Sequence, residues 1–205
     1  MQHALKICLV LLFVASVNVN AATEGQVLDG PVEVIKRTSD AVLERISANR
    51  DGFRAEPAKL RILVDEMIVP HFDFPRMAQW VVGKHWRSAN ADEQQRFITQ
   101  FKNLLVDTYS SALLEFTNER IVYYPLEDTG SKLVTVKTEL VDGADSTPII
   151  YKLHNRDTNW KVFDVQFDGV SLISTYRAEF GSEIRRSGIQ GLITTLNERY
   201  PEGAN

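Results

Sequence analysis

At 205 residues, with a formal charge of −4 and one cysteine, the chain is long enough for a domain with a real core. It offers no basic run for nucleic acid or for lasting adsorption to anionic lipid, and no paired cysteines for a disulfide scaffold or a thiolate metal site.

Met1 to Lys6 is short and weakly basic, and Ile7 to Val17 is an apolar core. Val19-Asn20-Ala21 places small residues where a signal peptidase reads. The expectation is a secretion signal over residues 1–21, cleaved after Ala21 or Ala22, and a single mature domain over 22–205. The apolar run falls short of the about 20 residues a membrane span needs. Cys8 stands at the front of the apolar core rather than at the cleavage point, which argues against a lipoprotein. Cys8 leaves with the signal, so the mature chain reaches a disulfide-permitting compartment with no cysteine to use. Its core has to hold the fold unaided.

Pro31 opens a first helix, as proline suits a first turn. Val32, Ile35, Val42, Leu43 and Ile46 form its apolar stripe as far as Asn49. Asp51-Gly52 reads as a turn. Pro57 begins a second helix with Leu60, Leu63, Val64, Met67 and Ile68 on one side, stopped at Val69-Pro70. Asp73 caps a short helix restarted by Pro75, carrying Met77, Trp80 and Val81 and ended by Gly83. Asn90 with Glu93 reads as a capping box for the longest helix, from about Ala91 to Thr117. Phe97, Phe101, Leu104, Leu105, Thr108 and Ala112 face one way along it.

After Arg120 the period shortens to that of strands. Ile121–Tyr124 is followed by Leu133–Val141, which ends at the hairpin signal Asp142-Gly143. Pro148–His154 alternates Ile149, Tyr151 and Leu153 against Ile150, Lys152 and His154. Trp160–Phe167 is the last strand. Short connections imply an antiparallel meander of about four strands. Phe163, Val165 and Phe167 alternate with Asp164, Gln166 and Asp168, which is the period of a strand with one buried face. Gly169 breaks the run, and Leu172, Ile173, Tyr176, Phe180 and Ile184 then recur at helical spacing. A second C-terminal helix carries Ile189, Leu192, Ile193 and Leu196. The class is α+β.

Two segments carry more than periodicity. Asp73, Phe74, Met77, Ala78, Val81, Gly83, Trp86 and Arg87 form a DF..MA..V.G..WR element, followed by Gln94, Phe97, Phe101, Leu104, Leu105, Thr108 and Tyr109. Trp160, Lys161, Val162, Asp164, Val165, Gly169, Val170, Ser171, Tyr176, Arg177 and Phe180 form a WKV.DV...GVS....YR..F element. Together these resemble the MlaC, or toluene-tolerance, family of periplasmic phospholipid-binding proteins. The resemblance implies an α+β fold, a curved antiparallel sheet wrapped by helices around an apolar lipid-binding cavity. It implies a non-enzymatic carrier that shuttles phospholipid across the periplasm and maintains outer-membrane lipid asymmetry. The acyl tails would be buried and the headgroup held near the mouth, with no cofactor other than that cargo and no metal. Implied partners are an inner-membrane ABC transporter with an MCE subunit and an outer-membrane lipoprotein-porin complex; the carrier itself is expected to be monomeric.

The apolar faces supply a wall for such a cavity. Val69, Phe72, Phe74, Met77 and Val81 come from the central segment, and Phe97, Phe101, Leu105 and Tyr109 from the long helix. The sheet adds Val136, Tyr151, Val165 and Phe167, and the end of the chain adds Val170, Leu172, Ile173, Ile189 and Ile193. Each is equally readable as ordinary core, and the pattern alone does not imply a cavity.

Other readings compete. His71 and Asp73 could be a base with its orienting carboxylate, or two metal ligands, but they lack helical spacing and a nearby third ligand. Asp164 and Asp168 share a strand face about 13 Å apart at the usual rise, wide for an acid–base pair. A lone Asp beside an apolar cavity still admits a small curved-sheet enzyme of the ketosteroid-isomerase-like type. Ser171 lacks a nucleophile elbow. Arg177 could hold a lipid phosphate, or pair with a carboxylate and pin the last strand to the helix. Arg76, Lys84 and Arg87 could form a docking face or be plain solvated surface. A lipid-free envelope chaperone or adaptor would share the secretion signal without needing a cavity.

Overall fold

The computed structural model describes residues 30–117, 119–127, 130–156 and 159–201; the expected secretion signal lies outside them. Helix α1 spans Pro31–Ala48, α2 Arg50–Ala55 and α3 Pro57–Met67. The expected turn at Asp51-Gly52 is instead part of α2. The chain breaks two residues earlier, at Asn49, whose φ/ψ of −148°/41° is not helical. Phe53, buried on α2, gives this short helix its reason to form. Gly52 lies inside α2, where a Cβ would meet only the movable end of the exposed Asn49 side chain.

A single 3-10 turn, Val69–His71, leads from α3 into α4, Phe74–Val82. Asp73 caps α4 by accepting from the Arg76 amide, and Gly83 ends it at φ 61°, a left-handed conformation that favours glycine. Helix α5 is Ala91–Tyr109, started by a complete Asn90–Glu93 capping box. It stops well before Thr117, because the chain tightens to 3-10 pitch over Ser110–Glu115. The buried stripe therefore ends near Leu105, and Thr108 and Ala112 are exposed.

Five strands form one antiparallel sheet in sequence order: β1 Arg120–Tyr123, β2 Leu133–Asp142, β3 Asp145–Arg156, β4 Asn159–Phe167 and β5 Val170–Ser171. The fifth is a two-residue strand that returns from the Asp168-Gly169 turn. Helix α6, Leu172–Arg199, closes the chain; Gly188, at φ 70°, divides it into the two helical pieces that the sequence implies.

Strand β4 is not a clean alternation. Lys152 pairs with Asp164 but Leu153 pairs with Val162, so Phe163 is an extra, bulged residue. The bulge turns Phe163 away from Val162 and Val165. Val162 and Val165 pack with the sheet core, while Phe163 packs with the helices. The expectation that Phe163 shares a face with Val165 and Phe167 fails for this reason.

Three apolar clusters result. A C-terminal helical cluster joins α4, α5 and α6 to Phe163. An N-terminal cluster joins α1, α2 and α3 to Leu114. A sheet cluster joins Val134, Val136, Leu153 and Val162 to Ile35 of α1. Among the described residues no helix is long and apolar enough to cross a membrane.

Candidate functional site

The three clusters do not merge, and the segment from the end of α3 to the start of α4 is the seam between them. Met67 and Ile68 pack against the N-terminal cluster and Val69 against the C-terminal helical one. Phe72 packs against both the C-terminal helical and the sheet clusters. The side chains along this seam are only partly buried, as are Leu113, Tyr151, Val165 and Leu172 at the cluster margins. Each of these apolar side chains packs against a buried cluster yet keeps some exposure.

The residues expected to line a cavity divide along this geometry. Phe74, Met77, Val81, Phe97, Phe101, Leu105, Ile173 and Ile193 are buried together in the C-terminal helical cluster. Val69, Phe72, Leu172 and Ile189 are partly buried against it. Val136 is buried in the sheet cluster, with Tyr151 and Val165 partly buried beside it. Tyr109, Phe167 and Val170 lie at the surface, 43%, 53% and 62% exposed. Phe167 and Val170 flank the Asp168-Gly169 turn as a cross-strand pair, and the Tyr109 hydroxyl is 3.4 Å from that of Tyr176 on α6.

Aromatic packing stiffens the helical side. Phe97 and Phe101 stack with ring centroids 5.8 Å apart, and Tyr176 and Phe180 meet Phe101 edge-on at 5.4 and 6.2 Å. On the sheet side, burial above all pushes the Tyr151 phenol up to about 12; the neighbouring Tyr123 adds to this, and a bond with Thr138 opposes it. Burial and the Tyr109 hydroxyl likewise raise Tyr176. Both rings present neutral hydroxyls to this interior.

The polar candidates have structural employers. Asp164 is buried; its carboxylate accepts from Ser171 Oγ at 2.9 Å, from the Ile173 amide at 3.3 Å and from Lys152 Nζ at 3.1 Å. It anchors the start of α6, whose N-cap is Ser171. Asp168 sits apart in the turn at φ 49°. Arg177 neither faces a carboxylate nor pins the last strand: its guanidinium donates to the Trp80 carbonyl and ties α6 to the end of α4. Arg76 lies over the rings of Trp80 and Phe163, at 5.4 and 4.7 Å.

His71 does not orient against Asp73. Burial, then Lys161 and Arg37, hold its pKa below the ordinary value. Asp73 instead receives a hydrogen bond from His154 Nε2 at 2.8 Å, across 81 residues of sequence. Neither partner's neighbours in the chain announce this pairing. Its one sequence signal is that His154 belongs to the polar alternate set of β3, the face that α4 covers. Among the described residues no group of three or more His, Cys, Asp or Glu could hold a metal ion.

Comparison with known proteins agrees with this architecture. The family model described as MlaC protein matches residues 36–198. The intermembrane phospholipid transport system binding protein MlaC of Haemophilus influenzae is 22% identical over 173 residues, covering 82% of this chain and 81% of that protein. The toluene tolerance protein ttg2D of Pseudomonas putida is 26% identical over 160 residues, covering 77% of this chain and 74% of that one. A solved structure of the phospholipid-binding protein from Ralstonia solanacearum, in complex with a phospholipid, matches with a TM-score of 0.76 and 31% identity, over 84% of this chain and 97% of that one.

Proposed function

The chain belongs to the MlaC family, and from that premise we propose that it is a periplasmic phospholipid carrier, moving lipid between the inner and outer membranes and so maintaining outer-membrane lipid asymmetry. The observation that supports the reading is the seam: three apolar clusters joined at few points, Phe72 among them, with Met67, Ile68, Val69, Leu113, Tyr151, Val165 and Leu172 also part-exposed along their margins. Acyl tails fill that seam, and the headgroup stays near a mouth bordered by Tyr109, Phe167 and Val170. The phospholipid bound by the Ralstonia solanacearum relative supports the choice of cargo.

The energetics suit a carrier. Each methylene removed from water contributes roughly 0.8 kcal/mol, so two ordinary acyl chains gain on the order of 20 kcal/mol gross. A bilayer offers them about the same. Transfer is then an exchange between near-equal wells, which a docked partner can tip. The partners are the inner-membrane ABC transporter with its MCE subunit and the outer-membrane lipoprotein-porin complex. No reactive group is required. Asp164, the strongest candidate for an acid or base, has its carboxylate committed to Ser171, Ile173 and Lys152.

Native mass spectrometry of the mature protein, with identification of any extracted lipid, tests the proposal. A discrete added mass matching a diacyl phospholipid is the expected result. A bare protein that also takes up no phospholipid from vesicles would overturn it in favour of an adaptor or enzyme.

A further inference from the structure

The Asp73–His154 pair does more than start a helix. Capping α4 uses one carboxylate oxygen, Oδ1, which accepts the Arg76 amide at 3.0 Å. The other, Oδ2, is committed to His154 Nε2 at 2.8 Å. Asp73 and His154 are 6% and 7% exposed, so the bond is shielded from water. An oxygen of this carboxylate accepts, so Nε2 carries the proton. The imidazole is held from the side by Phe163, the bulged residue of β4, at 5.9 Å between ring centroids. Arg156 Nη1 stands 3.8 Å from the same oxygen but is largely exposed, so it adds little.

The contacts converge on the residue before Asp73. Phe72 forms an isolated parallel bridge with Val162, and the Asp73 amide donates to the Val162 carbonyl at 2.8 Å. Lys161 donates to the carbonyl of Pro70. Strands β3 and β4 therefore grip residues 70–73, and the Phe72 side chain is the one that touches both the helical and the sheet clusters. Helix initiation does not require the His154 bond. What that bond adds is a fixed distance between the α3–α4 connection and the sheet, hence a fixed position for Phe72 across the seam.

We propose that the Asp73–His154 hydrogen bond is a positioning contact that holds Phe72 in the wall of the lipid slot and so sets how long cargo is retained. The proposal rests on the carrier reading. Neither residue touches lipid; both act through Phe72.

The test preloads the full mature chain with a phosphatidylethanolamine bearing a fluorescent acyl chain. Its release into phosphatidylethanolamine–phosphatidylglycerol vesicles is then followed, alongside thermal melting. His154→Gln keeps a terminal N–H that can reach Oδ2, whereas His154→Leu fills similar space without a donor. A hydrogen bond to a charged group is among the stronger ones, so His154→Leu is expected to release lipid roughly tenfold faster. His154→Gln should stay within about threefold of wild type although it loses the same ring packing. Asp73→Asn keeps a good cap for α4 while weakening the pair, and its release rate should fall between the two; it carries the comparison alone if His154→Leu does not fold. Equal release from loaded wild type and all the variants, or release that follows melting temperature rather than the presence of a donor, overturns the role of the pair. A wild-type protein that accepts no phospholipid overturns the carrier reading, and the role of the pair with it.

Discussion

Asp164 separates a carrier from a small curved-sheet enzyme, because the two readings give it opposite consequences. In the structure it accepts from Ser171 Oγ, the Ile173 amide and Lys152 Nζ. Replacing it with alanine leaves the Ile173 amide buried without its acceptor, at a cost of about 1–3 kcal/mol, and removes support from the Ser171 cap. The lost ion pair is discounted, since the Lys152 side chain is 36% exposed and can turn to water. The total is about 2–4 kcal/mol. For a domain of this size each kcal/mol moves the melting temperature by about 2–4 °C, so Asp164→Ala should melt on the order of 10 °C lower. Asp164→Asn keeps an acceptor for Ile173 and Ser171 and should fall only a few degrees. Calorimetry, with vesicle-to-protein lipid transfer measured well below the transition, checks both. Transfer per folded molecule should stay within about twofold of wild type. A folded, lipid-loaded Asp164→Asn protein that had lost transfer would refute the structural assignment, as would Asp164→Ala with an unchanged melting temperature.

Val170→Glu places a charge at a position 62% exposed, so it should leave stability within about 0.5 kcal/mol while reducing lipid occupancy at the mouth; native mass spectrometry at normal occupancy would remove Val170 from the site. Tyr151 ionises in the folded chain at about 12 against 10.0 unfolded, so its contribution is fully present below pH 10 and is lost as pH rises towards 12. Tyr151→Phe should flatten that alkaline decline in denaturant titrations by about 2–3 kcal/mol. Gly83→Ala forces a side chain into φ 61° and should cost about 1–2 kcal/mol, seen as a lower urea midpoint with an unchanged slope.

Local chemistry made much of the fold legible. Pro31, Pro57 and Pro75 mark helix starts, Asn90 with Glu93 marks another, and Gly83 marks an end, because caps act within a turn of the residues that form them. The alternation expected in β3 holds less well: adjacent Leu153 and His154 are both buried, because the sheet is covered on both faces there. What was illegible depends on partners distant in sequence. The β4 bulge is decided by which residues of β3 and α4 it faces, so Phe163 looked like a companion of Val165 and is not. Asp51-Gly52 looked like a turn because the burial of Phe53 that holds this segment helical exists only in the folded chain. His154 signalled a polar position on β3 but not Asp73 as its partner, and Arg177 gave no sign of the Trp80 carbonyl. The candidate wall was legible as a list of apolar residues but not as a surface: periodicity tells which side of an element is dry, not whether the dry sides of three layers meet.

On the proposed carrier reading, the margins between these layers are where acyl chains lie. A chain of this length has enough apolar surface for one continuous core, and merging the clusters would bury Met67, Val69, Phe72, Tyr151 and Val165 fully. Each part-exposed side chain forfeits some fraction of the about 1.5–3 kcal/mol that full burial brings. That forfeited stability is recovered when acyl chains enter, so ligand and fold are linked: the loaded protein should resist unfolding more than the empty one by an amount set by lipid affinity. The residues that gain most on loading are those at the seam, and Phe72 is the one packed against two clusters at once. On that reading the proposed Asp73–His154 tether keeps Phe72 at the edge of the slot. If the wall residue that spans the gap could swing inward, the empty slot would collapse around it, and entry of the next lipid would have to reopen a packed core.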